Sequence, residues 1–239
     1  MKVTLISHTQ SAEDLLIFTK STRLEMKPDL LDKVKEMSHA EKNEQLEYMA
    51  NTIPSSWEFV DYVFLVEGVS RAYTHQQVRT RQASYAQQTM RVLEMGDFDY
   101  VYSERILKDA YAKNVVDAAL ASIKQAYNSL LTIGIPAEDA RGILPTNIAT
   151  NIVCKFNLRT FVDLAKSRTG GRTQNEYQQV INGMVDAVLR VHPWADKFLF
   201  SHGRDHFNDI EEYAKAKFPD LRERGELLKI VDKMRKEGK

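Results

Sequence analysis

Cysteine is almost missing from this chain: Cys154 is the only one in 239 residues. A lone cysteine excludes an intrachain disulfide framework and any metal centre built from several thiolates. It also suits a reducing compartment, so a cytoplasmic protein is expected. An excess of one charge is missing too. Lysine plus arginine and aspartate plus glutamate number 33 each, so no global basic field draws in nucleic acid, and any bound anion must be held by a local cluster. No apolar run approaches the length of a membrane span, and the start MKVTLISHT carries no apolar signal region, so no membrane association is expected. Nor is there a G-x-S-x-G, P-loop or G-x-G-x-x-G pattern. Their absence sets aside a nucleophile elbow and the two familiar glycine-rich phosphate cradles. What is present, 43% hydrophobic and 28% charged residues, is the composition of an ordinary globular protein.

Periodicity places the elements. Lys2 to Ser7 alternates and predicts a short strand. Ser11 can cap a helix whose first turn carries Glu13 and Asp14. A charged helical segment is expected from Leu30 to Met49, and TIPSS (Thr52 to Ser56) breaks the chain. Val60 to Glu67 is β-branched and aromatic and predicts a strand, followed by helical character from Gly68 to Gln77. Ser103 to Thr132 is the longest helical signal, stopped by Gly134, with Pro136 opening the next helix. Two more amphipathic helices are expected at Asn157 to Lys166 and Glu176 to Val191, separated by a turn at Gly170 and closed by Pro193. The expected architecture is α+β, a mostly helical single domain with a small sheet. It occupies residues 1–210, with a charged helical tail at 211–239.

Two polar clusters can carry chemistry. RTRQASYAQQTMR brings Arg79, Arg81 and Arg91 together with Ser84, Gln87, Gln88 and Thr89. Arginine forks suit bidentate phosphate or carboxylate binding, and hydroxyls and amides complete an anion cradle. A solvated polar segment explains the same composition, and both readings stay open at this point. Downstream lie Asn157, Arg159, Arg168, Arg172 and Gln174. His202 and His206, four apart, can share a helix face as metal pairs do, but no third ligand sits at a familiar spacing, so no metal is expected. Cys154 follows Ile152 and Val153 and is expected to fill core.

These residues also resemble a known family. Arg79 to Ser84 followed by a polar run ending in Thr89-Met90-Arg91 is similar to the R-H-R-x-x-S…S-x-R signature of flavin-dependent thymidylate synthases. LISHTQSAEDLL resembles the family's first strand and helix, and NTIPSSWEF its ETPFEH-like segment. IPAEDARGILPTN resembles P-x-E-x-A-R-x-x-L-P-x-N, and NLRTFVDLAKSR resembles N-x-R-x-x-x-x-F-x-x-x-R. TQNEYQ and HPWADKF match later elements, so ordered matches run over roughly residues 3 to 200.

The resemblance implies a divergent member with this family's fold, acting as a homotetramer whose active sites each draw on several subunits. It implies FAD held by Arg79, Thr80, Arg81, Gln82, Asn157 and Arg159. A pyrimidine deoxynucleotide monophosphate would be bound by Gln76, Gln87, Gln88, Thr89, Arg91 and Arg168. Methylenetetrahydrofolate would supply the carbon and NADPH the electrons, in a conversion of the dUMP to dTMP type. Arg168 would be catalytic, polarising the pyrimidine ring, and no enzyme cysteine would attack it. The departures cluster on the nucleotide side. Thr80 replaces the motif histidine, Ala86-Gln87 replaces Asn-Glu, and Thr89 replaces serine. Asn151 replaces an arginine that follows L-P-x-N, with Lys155 nearby as a substitute cation. Two further readings follow from these changes. One is a sibling making hydroxymethyl- or methyl-pyrimidine nucleotides from dUMP or dCMP for modified viral DNA. The other is a non-catalytic flavin- or nucleotide-binding paralogue.

Overall fold

The chain runs, in a computed structural model that describes residues 1–23, 26–91, 99–168, 173–200, 206–218 and 221–237, through strand β1 (Lys2–His8) and helices α1 (Ala12–Ser21), α2 (Leu30–Glu36) and α3 (His39–Ala50). A 3-10 turn (Pro54–Phe59) leads into β2 (Asp61–Ser70), α4 (Arg71–Gln77) and β3 (Ala83–Gln87). After α5 (Glu104–Leu107), α6 (Ala110–Thr132) and α7 (Ala137–Ala140) come β4 (Ala149–Asn157), α8 (Leu158–Arg168), α9 (Asn175–Val191) and α10 (Asp196–Leu199). Met1–Leu199 forms one unit, the α+β domain. Phe200–Lys239 forms a second, in which α11 (His206–Lys217) packs on α12 (Leu221–Glu237), with Ala214 and Val231 buried. The charged helical tail therefore consists of two helices, the first of which begins at His206, before residue 211. No helix among the described residues is long and apolar enough to cross a membrane.

The sheet has the order β1-β2-β4-β3, with antiparallel neighbours throughout. Its core face follows from alternation. Tyr62, Phe64 and Val66 of β2 and Thr150, Ile152, Cys154 and Phe156 of β4 are buried, and the residues between them are more open. Helix α9 covers β1 and β2 with Tyr177, Val180, Ile181, Met184, Val185 and Val188, a stripe at helical spacing. It rides close: a Cβ added at Gly183 would stand 3.2 Å from Val3 Cγ2. At the far end of α9, His192 is buried among rings. Its Nδ1 meets the Tyr62 hydroxyl at 3.0 Å, Trp194 stacks on it, and His8 lies edge-on with centroids 4.9 Å apart. Burial, and then the charge of His8, push the His192 pKa down to about 4. A second small core, Tyr127, Ala140 and Ile148, lies under α6.

Several local expectations needed correction. Ser11 precedes α1 in a left-handed conformation (φ 46) with no capping hydrogen bond. The Leu30–Met49 segment divides at Ser38, which forms a capping box with Glu41: the serine oxygen accepts from Glu41 N at 3.3 Å, and Ser38 N–H donates to the carboxylate at 2.8 Å. Ser103 and Asp109 cap separate helices, so the segment read as one helix is α5 followed by α6. Pro136 is the residue before α7. The turn at Gly170, with Arg172, lies outside the described residues.

Candidate active site

Register decides which motif residues meet. Ala83 pairs with Phe156 across β3 and β4, so the chain just before β3 lies beside the end of β4. That brings Arg79 to Gln82 to the same end of the sheet as Asn157 and Arg159. Tyr85 pins this loop. Its hydroxyl lies 2.8 Å from Gln77 O and 2.9 Å from Thr80 O, and burial pushes its pKa up to about 12. Arg79 and Arg81 are exposed and have no carboxylate partner among the described residues. Asn157 and Arg159 are engaged internally instead. Asn157 Oδ1 accepts from Thr160 N at 2.8 Å and caps α8, while Arg159 Nη1 pairs with Glu58 at 2.6 Å.

A second convergence lies where α4 meets α9. Gln76 Nε2 donates to Gln174 Oε1. Glu176 receives both the Ser70 N–H (2.7 Å) and the Ser70 hydroxyl (2.6 Å), which ties the first turn of α9 to the start of α4. Arg168, at the end of α8, places its guanidinium 5.1 Å above the Tyr177 ring. Burial raises the Tyr177 phenol, and the Arg168 charge and the Thr80 side chain oppose that rise. Gln76 and Thr80, four residues apart, and the distant Arg168 therefore gather around Gln174 and Tyr177. The Nε of Arg168 is buried without a hydrogen-bond partner among the described residues.

The nucleotide group lies at the other end of β3, where Gln87 pairs with Ile152. Gln87 turns inward: its Nε2 donates to Thr74 Oγ1 at 3.0 Å and reaches Thr150 Oγ1 at 3.4 Å. Gln88 presents its carbonyl to Arg71 Nη2 at 2.5 Å. Thr89 Oγ1 accepts from Arg91 N at 3.1 Å, and Arg91 Nε pairs with Glu138 at 2.9 Å. Asn151 Oδ1 accepts from Gly68 N at 2.9 Å, at a bulge where Gly68 has φ 65. Lys155 is held by Asp61 at 2.7 Å. Arg71, Glu138, Tyr177 and Gln87's threonine partners were not singled out from sequence. A groove of about 690 Å³ adjoins this seam, lined by apolar Val101, Val115 and Leu120 and by polar Ser70, Glu176 and Gln179.

The donor set suits an anionic, aromatic ligand. Arg79 and Arg81 are exposed with no carboxylate partner among the described residues, and Arg168 has a buried Nε with no hydrogen-bond partner among them, beside a phenol ring. No group of three metal-ligating side chains exists among the described residues. His202 and the side chain of His206 lie outside them. Burial pushes the Cys154 thiol up to about 12, so it is an inert core group.

Comparison with known proteins places the chain in a family. The family described as "Thymidylate synthase complementing protein" matches residues 4–194. The flavin-dependent thymidylate synthase of Sulfolobus acidocaldarius is 33% identical over 214 residues, 89% of this chain and 82% of that protein. That of Nitratidesulfovibrio vulgaris is 32% identical over 219 residues, 84% and 86% of the two chains. That of Clostridium tetani is 29% identical over 211 residues, 81% and 84%. With matched segments spanning the sheet, α4, the β3 motif and α8–α9, this chain belongs to the flavin-dependent thymidylate synthase family.

Proposed function

We propose that this protein uses FAD to transfer a one-carbon unit from methylenetetrahydrofolate to C5 of a pyrimidine deoxynucleotide monophosphate, in the manner of dUMP to dTMP, with NADPH as reductant. The observation that supports this most directly is Arg168, whose buried Nε has no hydrogen-bond partner among the described residues and whose guanidinium, over the Tyr177 ring, adjoins Thr80 of the arginine motif. Bound FAD supplies hydride chemistry that no side chain here possesses. The chain's own residues do the rest. Arg79 and Arg81 neutralise the phosphates of the cofactor, with Thr80 and Gln82 donating alongside. Arg159 reaches the same anion by releasing Glu58, and Asn157 holds the start of α8 in register. Gln76, Gln87, Gln88, Thr89 and Arg91 surround the nucleotide. Arg168 stabilises negative charge that develops on the pyrimidine as C5 becomes nucleophilic. Cys154 takes no part, being buried and neutral.

Gln87, Gln88, Thr89 and Arg91 of the nucleotide group lie at the opposite end of the five-residue strand β3 from the flavin group, about 14 Å away at strand rise, whereas Gln76 and Arg168 lie beside Thr80. That separation supports an assembly, a homotetramer by family resemblance, in which one site draws on several copies. The inward amide of Gln87 and the structural use of Asn151 favour a second reading, in which a cytosine nucleotide or a hydroxymethyl product replaces the usual ones. A degenerate binder of flavin or nucleotide is the remaining alternative.

Release of tritium from C5-labelled dUMP or dCMP, with FAD, NADPH and methylenetetrahydrofolate present, separates these readings. Release from dUMP with a methyl product by mass spectrometry supports the main reading. Release from dCMP, or a product heavier by one oxygen, supports the second. Flavin binding without release leaves the non-catalytic alternative, and a protein that never acquires flavin absorption overturns all three.

A further inference from the structure

Tyr177, in the first turn of α9, lies beneath the arginine assigned to the pyrimidine ring. The Arg168 guanidinium stands 5.1 Å from the centre of the phenol ring, and its Nε is buried with no hydrogen-bond partner among the described residues. A long side chain loses rotamer freedom when it is kept in one place, so some surface must hold it there. Here that surface is aromatic, and a cation over a ring face gains most where water is excluded. Tyr177 is fully buried and so offers a desolvated ring. The ring is itself braced. Tyr73 of α4, also fully buried, meets it edge-on, with centroids 5.2 Å apart and planes at 81°. The Tyr73 hydroxyl donates to Gln77 Oε1 at 3.1 Å, and the buried Gln77 amide reaches the Tyr85 hydroxyl at 3.5 Å. That hydroxyl lies 2.9 Å from Thr80 O, inside the Arg79–Gln82 loop. A run of packed and hydrogen-bonded side chains thus connects the end of α8 with the arginine motif.

We propose that Tyr177 is a positioning residue for the reaction: its ring holds the Arg168 guanidinium in place beside the Arg79–Gln82 loop, and Tyr73 fixes that ring to the network that also fixes the loop. The proposal rests on the reading of Arg168 as the group that stabilises charge on the pyrimidine. A fixed charge stabilises a developing one only from the right place, so a small displacement raises the transition state more than the ground state. Tyr177, being buried, acts on turnover through Arg168 rather than by touching the substrate.

Tritium-release kinetics, together with NMR of protein carrying isotope-labelled arginine, with and without flavin, test this. Tyr177→Leu is expected to lower kcat about 3- to 30-fold, the worth of a desolvated cation–π contact, with nucleotide KM and flavin absorption little changed. Tyr177→Phe keeps the ring and is expected to retain most of the wild-type kcat. The Arg168 Nε proton, identified by its loss in Arg168→Lys, is expected to be shifted upfield by the ring in wild type and Tyr177→Phe, and to lose that shift in Tyr177→Leu, whether or not flavin is bound. Undiminished kcat in Tyr177→Leu, equal losses in the two variants, or a loss confined to KM or to flavin retention overturns the positioning role and leaves the function reading standing. If Tyr177→Leu fails to fold, Tyr177→Phe decides: retained kcat with a retained ring shift upholds the role, and loss of either overturns it. A wild-type protein that releases tritium from neither dUMP nor dCMP overturns the function reading instead. The Arg168 signal then decides the placement by itself, upheld if Tyr177→Leu removes the ring shift and overturned if wild type shows none.

Discussion

Gln87→Glu restores the carboxylate that the family carries at this position, and the structure says what that costs. The Gln87 amide donates to Thr74 Oγ1 at 3.0 Å and reaches Thr150 Oγ1 at 3.4 Å. Thr74 is fully buried, and its own proton is committed to Arg71 O at 3.1 Å. It must therefore accept from residue 87. A carboxylate there faces an acceptor, and Thr74 can answer only by abandoning Arg71 O. One hydrogen bond is lost and a half-buried charge is poorly satisfied, a destabilisation of about 2–3 kcal/mol. The protonated acid can donate to Thr74, so the folded state raises the pKa of the new carboxyl above its unfolded value of about 4.3. The penalty is then small below the unfolded pKa and grows as pH rises through the folded one. Urea denaturation of wild type and variant at pH 4.5 and pH 8 measures it. Equal stability at pH 8, or the same deficit at both pH values, would refute the assigned hydrogen-bond directions.

Arg168→Ala is expected to abolish turnover while flavin absorption survives, and Arg81→Ala to weaken flavin retention first; kinetics and flavin titration give the order, and the reverse order sinks the roles assigned here. His192 has its folded pKa lowered to about 4 from 6.5, so the unfolded chain takes up a proton first and stability falls as pH drops through that window, by at most about 1.4 kcal/mol per unit. A His192→Gln variant is expected to show a shallower fall in melting temperature over the same window, and an unchanged slope would refute the burial argument. Lys42 pairs with Asp14 at 2.6 Å with both side chains largely buried, so Lys42→Ala is expected to cost about 3 kcal/mol in chemical denaturation. Adding Asp14→Leu with Lys42→Met is expected to recover most of it, because an apolar pair need not be desolvated at that expense.

The legible parts of the fold were those with long periods or strong punctuation. Strand β2 is a continuous β-branched and aromatic run, and α9 shows its buried stripe at helical spacing before Pro193. Strand β4 carries its alternation at Thr150, Ile152, Cys154 and Phe156, but the segment follows a breaker and mixes polar and apolar neighbours, which obscures the period. Strand β3 was hidden for a different reason. Its edge position buries little, so Ala83 to Gln87 shows no apolar period, and only pairing with β4 makes it a strand. The capping box at Ser38 is written as S-x-x-E, but it sits in a segment of uniformly charged helix formers that masks the break. At the site, arginines announce themselves by type. Their partners do not: Tyr177 beneath Arg168, Glu138 on Arg91 and Gln88 O on Arg71 are separated from them by 9, 47 and 17 residues, and only register and packing bring them together.

Gly183 gives the core a hold on the chemistry. Its missing side chain lets α9 settle against Val3, where a Cβ would stand 3.2 Å from a methyl carbon. Seven residues earlier on the same helix, about 10 Å away at helical rise, Glu176 grips Ser70, and Gln174 just before the helix meets Gln76. The gap between helix and strand thus works as a shim that sets how far the first turn of α9 can lean over α4. A methyl group added at that distant contact would alter the aperture of the site without touching any residue that lines it. Tuning of substrate fit in this protein is therefore accessible from its interior as well as from its surface.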